Sequence, residues 1–296
     1  MILSEEVLSL LRDDPDVFRS GNEIAARLGV TRNAVWKAIE KLRLEGYNID
    51  AVTNRGYRLL GEADRLSSGA IKTLLPKETP TCFDVIVLPT IDSTNDELRR
   101  RAENGAPEGT ILLAETQTKG RGRLNRSFYS PKGSGIYMSL LLRPTIPAQA
   151  SLSITTAAAV AAAEAIESCC GVDARIKWVN DVFVGGKKVS GILTEAAINL
   201  ETGRLDYAVL GIGINITEPE GGWPASLKEI AAGAAKRGSI VPGLRNTVAA
   251  AFIRRFWFYY ENLEAKTFLQ EYRKLSLALL SSFLKVGHMG QTGHDL

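Results

Sequence analysis

The sequence predicts an α+β protein in which a small helical domain precedes a larger domain built on a mixed β-sheet. Three observations lead there. Two short helical patterns and an alternating hairpin pattern occupy the stretch up to Gly61, a polar irregular stretch runs from Gly61 to Ser68, and from Phe83 onward strand-like runs are separated by long helical ones. A chain of 296 residues, 45% of them hydrophobic, is long enough for two or three domains with cores of their own.

Near the N terminus, Ser20-Gly21-Asn22-Glu23 has the form of a capping box, with Ser at the N-cap and Glu three residues on, ahead of the apolar Ile24, Ala25 and Leu28. Gly29-Val30 makes a turn. Thr31 then caps a second helix whose Val35, Ile39 and Leu42 form a buried stripe, leaving Arg32, Asn33, Trp36 and Lys37 off it. Past Gly46, Ile49 and Val52 lead into Thr53-Asn54-Arg55-Gly56 and Tyr57 and Leu59 lead out, a β-hairpin with Arg55 near its tip. Helix, turn, helix and hairpin make a winged helix-turn-helix, assigned to residues 1–62. Residues 1–26 hold two Arg against six Asp or Glu, whereas residues 27–58 hold seven Lys or Arg against three. The basic half therefore coincides with the second helix and the wing. Thr31, Arg32, Asn33, Trp36, Lys37 and Arg55 are the candidate DNA contacts, because cations answer phosphates and an Asn amide pairs bidentately with adenine in the major groove. A protein-interaction module is the alternative for this domain.

The second domain, residues 63–274, is expected to carry strands over 83–88, 110–114, 136–142, 175–178, 189–195 and 207–214. An Ala-rich helix over 151–168, ended by Gly171, and another over 246–260 accompany them. Hairpins such as the Gly185-Gly186 turn argue for an α+β sheet rather than a doubly wound one.

Several classes are excluded. Cys82, Cys169 and Cys170 make neither a disulfide framework nor a zinc spacing and read as small buried hydrophobes in a reducing compartment. Met1-Ile2-Leu3 runs straight into acidic residues, unlike a signal peptide, and the Ala-rich run 157–163, interrupted by Glu164, reads as too short and too polar to span a bilayer. These features imply a cytoplasmic protein with no membrane association. A net charge of +3 decides nothing about nucleic acid for the chain as a whole. No Ser/His/Asp arrangement is visible, since the only histidines are His288 and His294 in the terminal tail.

The residues that carry chemistry cluster in a few short segments. Lys119, Arg121, Arg123 and Arg126 place four cations around Gly120 and Gly122 with no acidic residue among them, so the loop is expected to repel itself unless an anion sits there. A dinucleotide fingerprint is rejected, because Gly120-Arg121-Gly122 meets Asn125 where a third Gly is needed and Gly211-Ile212-Gly213 lies within an apolar strand. No P-loop occurs either, so any nucleotide phosphates would be held by arginines and lysines.

Ser93-Thr94-Asn95, the Gly120–Arg126 loop, Lys177-Trp178-Val179-Asn180-Asp181, Lys187-Lys188-Val189-Ser190-Gly191-Ile192 and Gly211-Ile212-Gly213-Ile214-Asn215, in this order, resemble the catalytic domain of biotin–protein ligases. The resemblance covers nearly all of residues 1–276. It implies a class II synthetase-like mixed sheet and an ATP-dependent reaction in which biotin is adenylated and then transferred to a lysine of a biotin carboxyl carrier protein. It also implies a bifunctional protein whose winged helix binds operator DNA as a repressor of biotin genes, as a homodimer when loaded with the adenylate. By position, Ser93, Thr94, Asn95, Gln117, Arg121, Gly122, Arg123 and Lys188 would bind biotin. Arg123, Arg126, Lys177, Asn180, Asp181, Asn215 and Trp223 would bind ATP, which arrives with Mg²⁺, and Arg123, Asp181 and Lys188 would serve catalysis. Capping is a further role for Ser93, a plain salt bridge one for Asp181 and Lys188, and core packing one for Trp223.

Asn125 stands where many members have Gly, Phe128 where many have Trp, and Val179 where Pro is frequent. The family usually continues into a small SH3-like barrel, of which residues 275–296 would supply only a truncated remnant. A non-enzymatic biotin-responsive regulator is the main alternative. Lipoate ligases and octanoyltransferases share the expected fold, but their Gly-rich, His-containing signature has no counterpart here.

Overall fold

A computed structural model describes the chain apart from residues 1–2, 15–16, 45–46, 62–63, 77–82, 148–150, 200, 202, 236–242 and 278–296. The chain forms two compact units, one built on residues up to Arg65 and the other on residues from Leu66.

In the first unit, α1 (Leu3–Asp13), α2 (Gly21–Leu28) and α3 (Arg32–Leu44) precede a two-stranded hairpin, β1 (Asn48–Val52) and β2 (Gly56–Gly61). The Ser20 hydroxyl accepts from the Glu23 amide at 3.1 Å and the Thr31 hydroxyl from the Ala34 amide at 3.2 Å, so both expected caps form. Gly29 ends α2 in the left-handed region at φ 65°. Val7, Leu8 and Leu11 of α1 close over Val35, Ile39 and Leu42 of α3, with Ile49 and Leu59 from the hairpin completing one apolar core. Residues 3–13 form a helix not expected from the sequence, although Leu3, Val7, Leu10 and Leu11 carry a helical spacing.

The second unit holds α4 (Ser68–Leu74), β3 (Asp84–Leu88), α5 (Thr94–Glu103), β4 (Thr110–Ala114), β5 (Gly135–Leu142), α6 (Ser151–Cys170), β6 (Ala174–Lys177), β7 (Asp181–Val184), β8 (Lys187–Ile198), β9 (Leu205–Asn215), α7 (Leu244–Glu261) and α8 (Phe268–Leu275). Its seven-stranded sheet runs in the order β3-β4-β5-β9-β8-β7-β6, with β3 parallel to β4 and every other neighbouring pair antiparallel. Because side chains alternate across a strand, each strand feeds two cores. Leu113, Leu140, Leu142 and Leu210 enter the large cluster with α6 and α7, while Leu112, Leu141 and Val209 meet Leu98 and Ala102 of α5 on the other face. The polar stretch after the hairpin ends at Ser67, which accepts from the Ala70 amide at 3.3 Å and so starts α4, a helix the sequence analysis did not assign.

Two sequence expectations are corrected here. Cys169 and Cys170 sit partly exposed at the end of α6 rather than buried, because the helix runs past the core before Gly171 stops it at φ 64°. Cys82 lies outside the described residues. At 20 residues, α6 is long and apolar enough to cross a membrane, against the expectation from its Ala-rich centre, but 67% of that apolar stretch is buried inside the protein. At the C-terminal end, Ser276 bridges to Ile176 of β6. Of the expected barrel remnant, residues 275–296, Leu275 instead ends α8, and residues 278–296 lie outside the described residues.

Candidate functional site

Strand alternation builds the pocket. The Gly-Ile-Gly-Ile-Asn run of β9 sends Ile212 and Ile214 into the large core and leaves Gly211 and Gly213 on the α5 face. There they lie opposite Leu193 and Gly191 of β8 and, on the other side, Ser139 and Tyr137 of β5. Three small residues on one face make a hollow beyond the N terminus of α5. A Cβ at Gly211 would overlap the Asn95 amide, and one at Gly213 would overlap the Phe128 ring. The hollow is lined by Ser93, Thr94, Asn95, Gln117, Arg121, Gly122, Arg123, Phe128, Asn180, Lys188 and the three glycines, together with Met138, Ile192, Leu193 and Ile212.

Its floor is a hydrogen-bond network. Ser93 caps α5, accepting from the Asp96 amide at 3.3 Å. The Thr94 amide and hydroxyl donate to Gln117 Oε1 at 2.8 and 3.1 Å, and Gln117 Nε2 donates to Ser130 Oγ at 2.9 Å. Asn95 Nδ2 donates to Glu195 Oε2 at 2.9 Å, and Ser139 Oγ lies 2.6 Å from Asn95 Oδ1 and 2.8 Å from Thr94 Oγ1. Capping and pocket lining coexist at Ser93. Beside the hollow, Tyr137 packs edge-on against Phe128 and donates to the Pro131 carbonyl at 2.8 Å. Burial pushes its phenol up to about 12.

The basic loop folds back on itself as a tight hairpin in which Gly122 donates to the Arg126 carbonyl at 2.7 Å and Phe128 to the Gly120 carbonyl at 2.9 Å. The expectation that its four cations need an anion is corrected at Arg121. That guanidinium already meets Asp96 at 2.6 Å and Glu195 at 3.0 Å, carboxylates from α5 and β8 that the loop's own sequence does not reveal. Burial works against the charged guanidinium, yet the two carboxylates outweigh it and hold the Arg121 pKa above the ordinary arginine value. Arg123 stays exposed and donates to Asn180 Oδ1 at 2.9 Å. Asn180 is fixed in turn by donating to the Ile192 carbonyl at 2.9 Å. Lys188 pairs with Asp181 at 2.8 Å, so the salt bridge exists, and Lys188 lines the hollow as well.

Five expected residues fall outside this lining, among them Asp181, which meets it only through Lys188. Lys177 is exposed at the end of β6 with its ammonium 5.3 Å from the Phe183 ring centre, Arg126 is exposed at the base of the loop, and Asn215 is buried at the end of β9. Trp223 meets Tyr129 edge-on, with ring centres 6.5 Å apart, and lines a more open recess with Lys187, Thr217, Glu218 and Lys228. Conversely, Ser139 and Glu195 escaped the sequence reading, and Phe128 entered it only as a departure from the family pattern. The signal that could have found Ser139 and Glu195 is strand register, since both share the face of Gly211 and Gly213.

In the first unit, Arg32, Asn33, Trp36 and Lys37 are exposed along α3, Thr31 is exposed at its cap, and Arg55 is exposed at the hairpin turn. Arg55 and Arg58 lie over the Phe18 ring at 4.5 and 4.4 Å, and Arg58 also pairs with Asp50 at 3.2 Å. Phe18 thus braces the wing, a role its isolated position in the sequence does not announce.

Residues 87–215 match the model of the biotin/lipoate A/B protein ligase family, and residues 4–58 match a helix-turn-helix domain model. The bifunctional ligase/repressor BirA of Bacillus spizizenii is 42% identical over 229 residues, spanning 77% of this chain and 70% of that protein. This chain belongs to the biotin/lipoate A/B protein ligase family. Its resemblance extends to the BirA of Escherichia coli, 33% identical over 199 residues, 67% of this chain and 60% of that protein. Among solved structures, a biotin protein ligase from Aquifex aeolicus in complex with biotin and ATP superposes with a TM-score of 0.53 at 30% identity, covering 66% of this chain and 78% of that one. The family thus accounts for the sheet and the α5 hollow, and the helix-turn-helix match for the unit that precedes them.

Proposed function

We propose that this protein is an ATP-dependent biotin–protein ligase that also represses transcription through its winged helix. The observation that carries the reading is the convergence on one hollow of the α5 N terminus, Gln117, the Arg121–Arg123 loop, Asn180 and Lys188. The neutral polar floor of Ser93, Thr94, Asn95 and Gln117 suits the ureido ring, which both donates and accepts hydrogen bonds. The cationic rim suits a carboxylate and a phosphate held together.

In the first step the biotin carboxylate attacks the α-phosphate of ATP and pyrophosphate leaves. In the second, the amine of an acceptor lysine attacks the biotinyl carbonyl and AMP leaves. Lys188 lessens the repulsion between the two anions, and Arg123, steered by Asn180, holds the carboxyl and phosphoryl oxygens in line; positioning of this kind contributes on the order of 7–11 kcal/mol. Asp181 orients Lys188 and faces the incoming amine. Trp223 and the recess beside it suit the nucleotide base, with Lys177, Arg126 and Asn215 at its phosphate and sugar side. Among the described residues no group of three or more His, Cys, Asp or Glu could hold a metal ion. Mg²⁺ would arrive on the triphosphate, and Asp181 is the protein carboxylate that could meet it, which fits an ion that keeps most of its water. When bound it supplies charge neutralisation at the phosphates.

The exposed residues of α3 and the wing suit an operator, and helix-turn-helix proteins read two half-sites as dimers. A homodimer formed on the adenylate is part of this reading, as is a cytoplasmic location beside DNA, ATP and the carrier.

The deciding experiment is mass spectrometry of a biotin carrier domain incubated with the full chain, biotin and MgATP. One added biotinyl group per carrier is expected. No addition, with biotin still bound in calorimetry, would overturn the enzymatic reading in favour of a ligand-sensing regulator.

A further inference from the structure

Resting on the ligase reading, we propose that Glu195 is a positioning residue that sets the hydrogen-bond polarity of the pocket floor, so that Thr94 faces the ligand as an acceptor. Glu195 projects from β8 onto the pocket face, opposite Val209 of β9. Its Oε2 accepts from Asn95 Nδ2 at 2.9 Å, while its carboxylate also meets Arg121 at 3.0 Å. A second acceptor, the Leu193 carbonyl, lies 3.4 Å from the same Nδ2. Ionised carboxylates and carbonyls only accept. The Asn95 amide therefore has one orientation, NH₂ toward β8 and Oδ1 toward Ser139.

The consequence passes along the floor. Ser139 is fully buried and has one proton, within reach of both Asn95 Oδ1 at 2.6 Å and Thr94 Oγ1 at 2.8 Å. Asn95 Oδ1 has no proton of its own and is nearer, so it takes the Ser139 proton. Thr94 spends its proton on Gln117 Oε1 at 3.1 Å. That amide is itself oriented by donating to Ser130, whose hydroxyl donates to the Phe128 carbonyl at 3.0 Å. With the Ser139 proton on Asn95, Thr94 Oγ1 keeps a lone pair for a ligand donor on the wall of the hollow. Were the Asn95 amide to turn over, its NH₂ would donate to Ser139, Ser139 would donate to Thr94, and Thr94 could offer its own proton to a ligand. The Arg121 ion pair pins the carboxylate against the amide and blocks that reversal. Selection of a ligand N–H over a ligand oxygen at Thr94 thus originates two residues away from the ligand, at Glu195.

Calorimetry on the full chain without ATP tests this with biotin and with the two cyclic carbamate analogues in which one ureido N–H is replaced by oxygen. A site built to bond an N–H rejects an analogue lacking it by orders of magnitude, so the wild type is expected to discriminate at least about 100-fold against one of the two. Glu195→Gln offers an NH₂ as readily as an oxygen and frees the Asn95 amide; the discrimination should fall by about tenfold or more. Glu195→Asp keeps an acceptor-only group and should retain the wild-type ratio even where both affinities drop. A wild-type ratio in Glu195→Gln, with both affinities lowered equally, would leave Glu195 a merely structural role and overturn the proposal. Equal loss of the ratio in Glu195→Asp would overturn it too. A wild type that binds none of the three ligands would overturn the ligase reading beneath it, an outcome distinct from either.

Discussion

In the proposed reaction, Lys188 is the residue on which the chemistry turns. It lies against the hollow, its backbone is clamped by pairing with Ile230 and Ala232 at 2.8 and 3.0 Å, and Asp181 holds its ammonium at 2.8 Å. An ammonium held by a carboxylate on a clamped backbone has little reorganising to do when charge moves, which is where electrostatic stabilisation gains its advantage. Lys188→Ala is expected to slow biotin-dependent pyrophosphate release by roughly 100- to 1,000-fold, while the floor of Ser93, Thr94, Asn95 and Gln117 keeps biotin bound. A normal pyrophosphate rate in that variant would return Lys188 to a structural role. Arg123 acts later. It is exposed and its guanidinium donates to Asn180, which suits a latch over a formed intermediate in the proposed reaction. Arg123→Gly should therefore release biotinyl-adenylate, seen as biotin on bystander lysines of an added inert protein. Retention equal to wild type would exclude the latch.

At the scale of elements, what the sequence discloses and what it hides follow one division. Caps and stripes are local, and Ser20, Thr31 and Gly29 ended or began their helices as their chemistry requires. The pocket motifs were readable as well, because Ser93–Asn95, Gln117, the arginine loop and Lys188 are contiguous short runs. Hidden were the partners that only register brings in: Ser139 from β5, Glu195 from β8, and Asp96 reaching Arg121 across 25 positions of chain. The β7 strand also went unassigned, since four residues between turns carry too little periodicity to read.

A long-range pair shows the same principle structurally. Arg245 at the start of α7 is nearly fully buried and meets Glu115, just past β4, at 2.8 Å, and Glu115 also accepts from the Leu66 amide at 2.8 Å. One carboxylate thus joins the first residue of the second unit, α7 and the strand end two residues before Gln117. Removing one member of a buried pair strands the other, at a cost of about 3–5 kcal/mol. Arg245→Met is expected to lower the stability of this unit by that amount in urea denaturation, with unchanged secondary structure at low denaturant. A loss below about 1 kcal/mol, the range of a surface pair, would show the pair to be dispensable.

At the scale of the whole molecule, the proposed reading gives each unit its own chemistry, DNA contacts in one and the ligase site in the other. The winged unit has its own apolar core of α1–α3 and the hairpin, and the candidate DNA residues are all on its surface. Arg55→Ala should therefore weaken operator binding and flatten its salt dependence by roughly 0.9 in log K per log salt, the contribution of one phosphate contact on duplex DNA, while carrier biotinylation proceeds at the wild-type rate. Asn33→Ala should change sequence preference with the salt slope intact, because an amide reads base edges rather than phosphates. Lys188→Ala should do the reverse. Its winged helix is untouched, so binding without ligands should equal wild type, but the increase in DNA affinity on adding biotin and MgATP together should be largely lost over the time the wild type needs to form the adenylate, because adenylation is roughly 100- to 1,000-fold slower and in the proposed reading the adenylate favours the dimer. Fluorescence anisotropy with labelled operator, run in parallel with the carrier assay, separates these outcomes. If Lys188→Ala keeps the full biotin- and ATP-dependent gain in DNA affinity, the adenylate is not the signal that joins the two units.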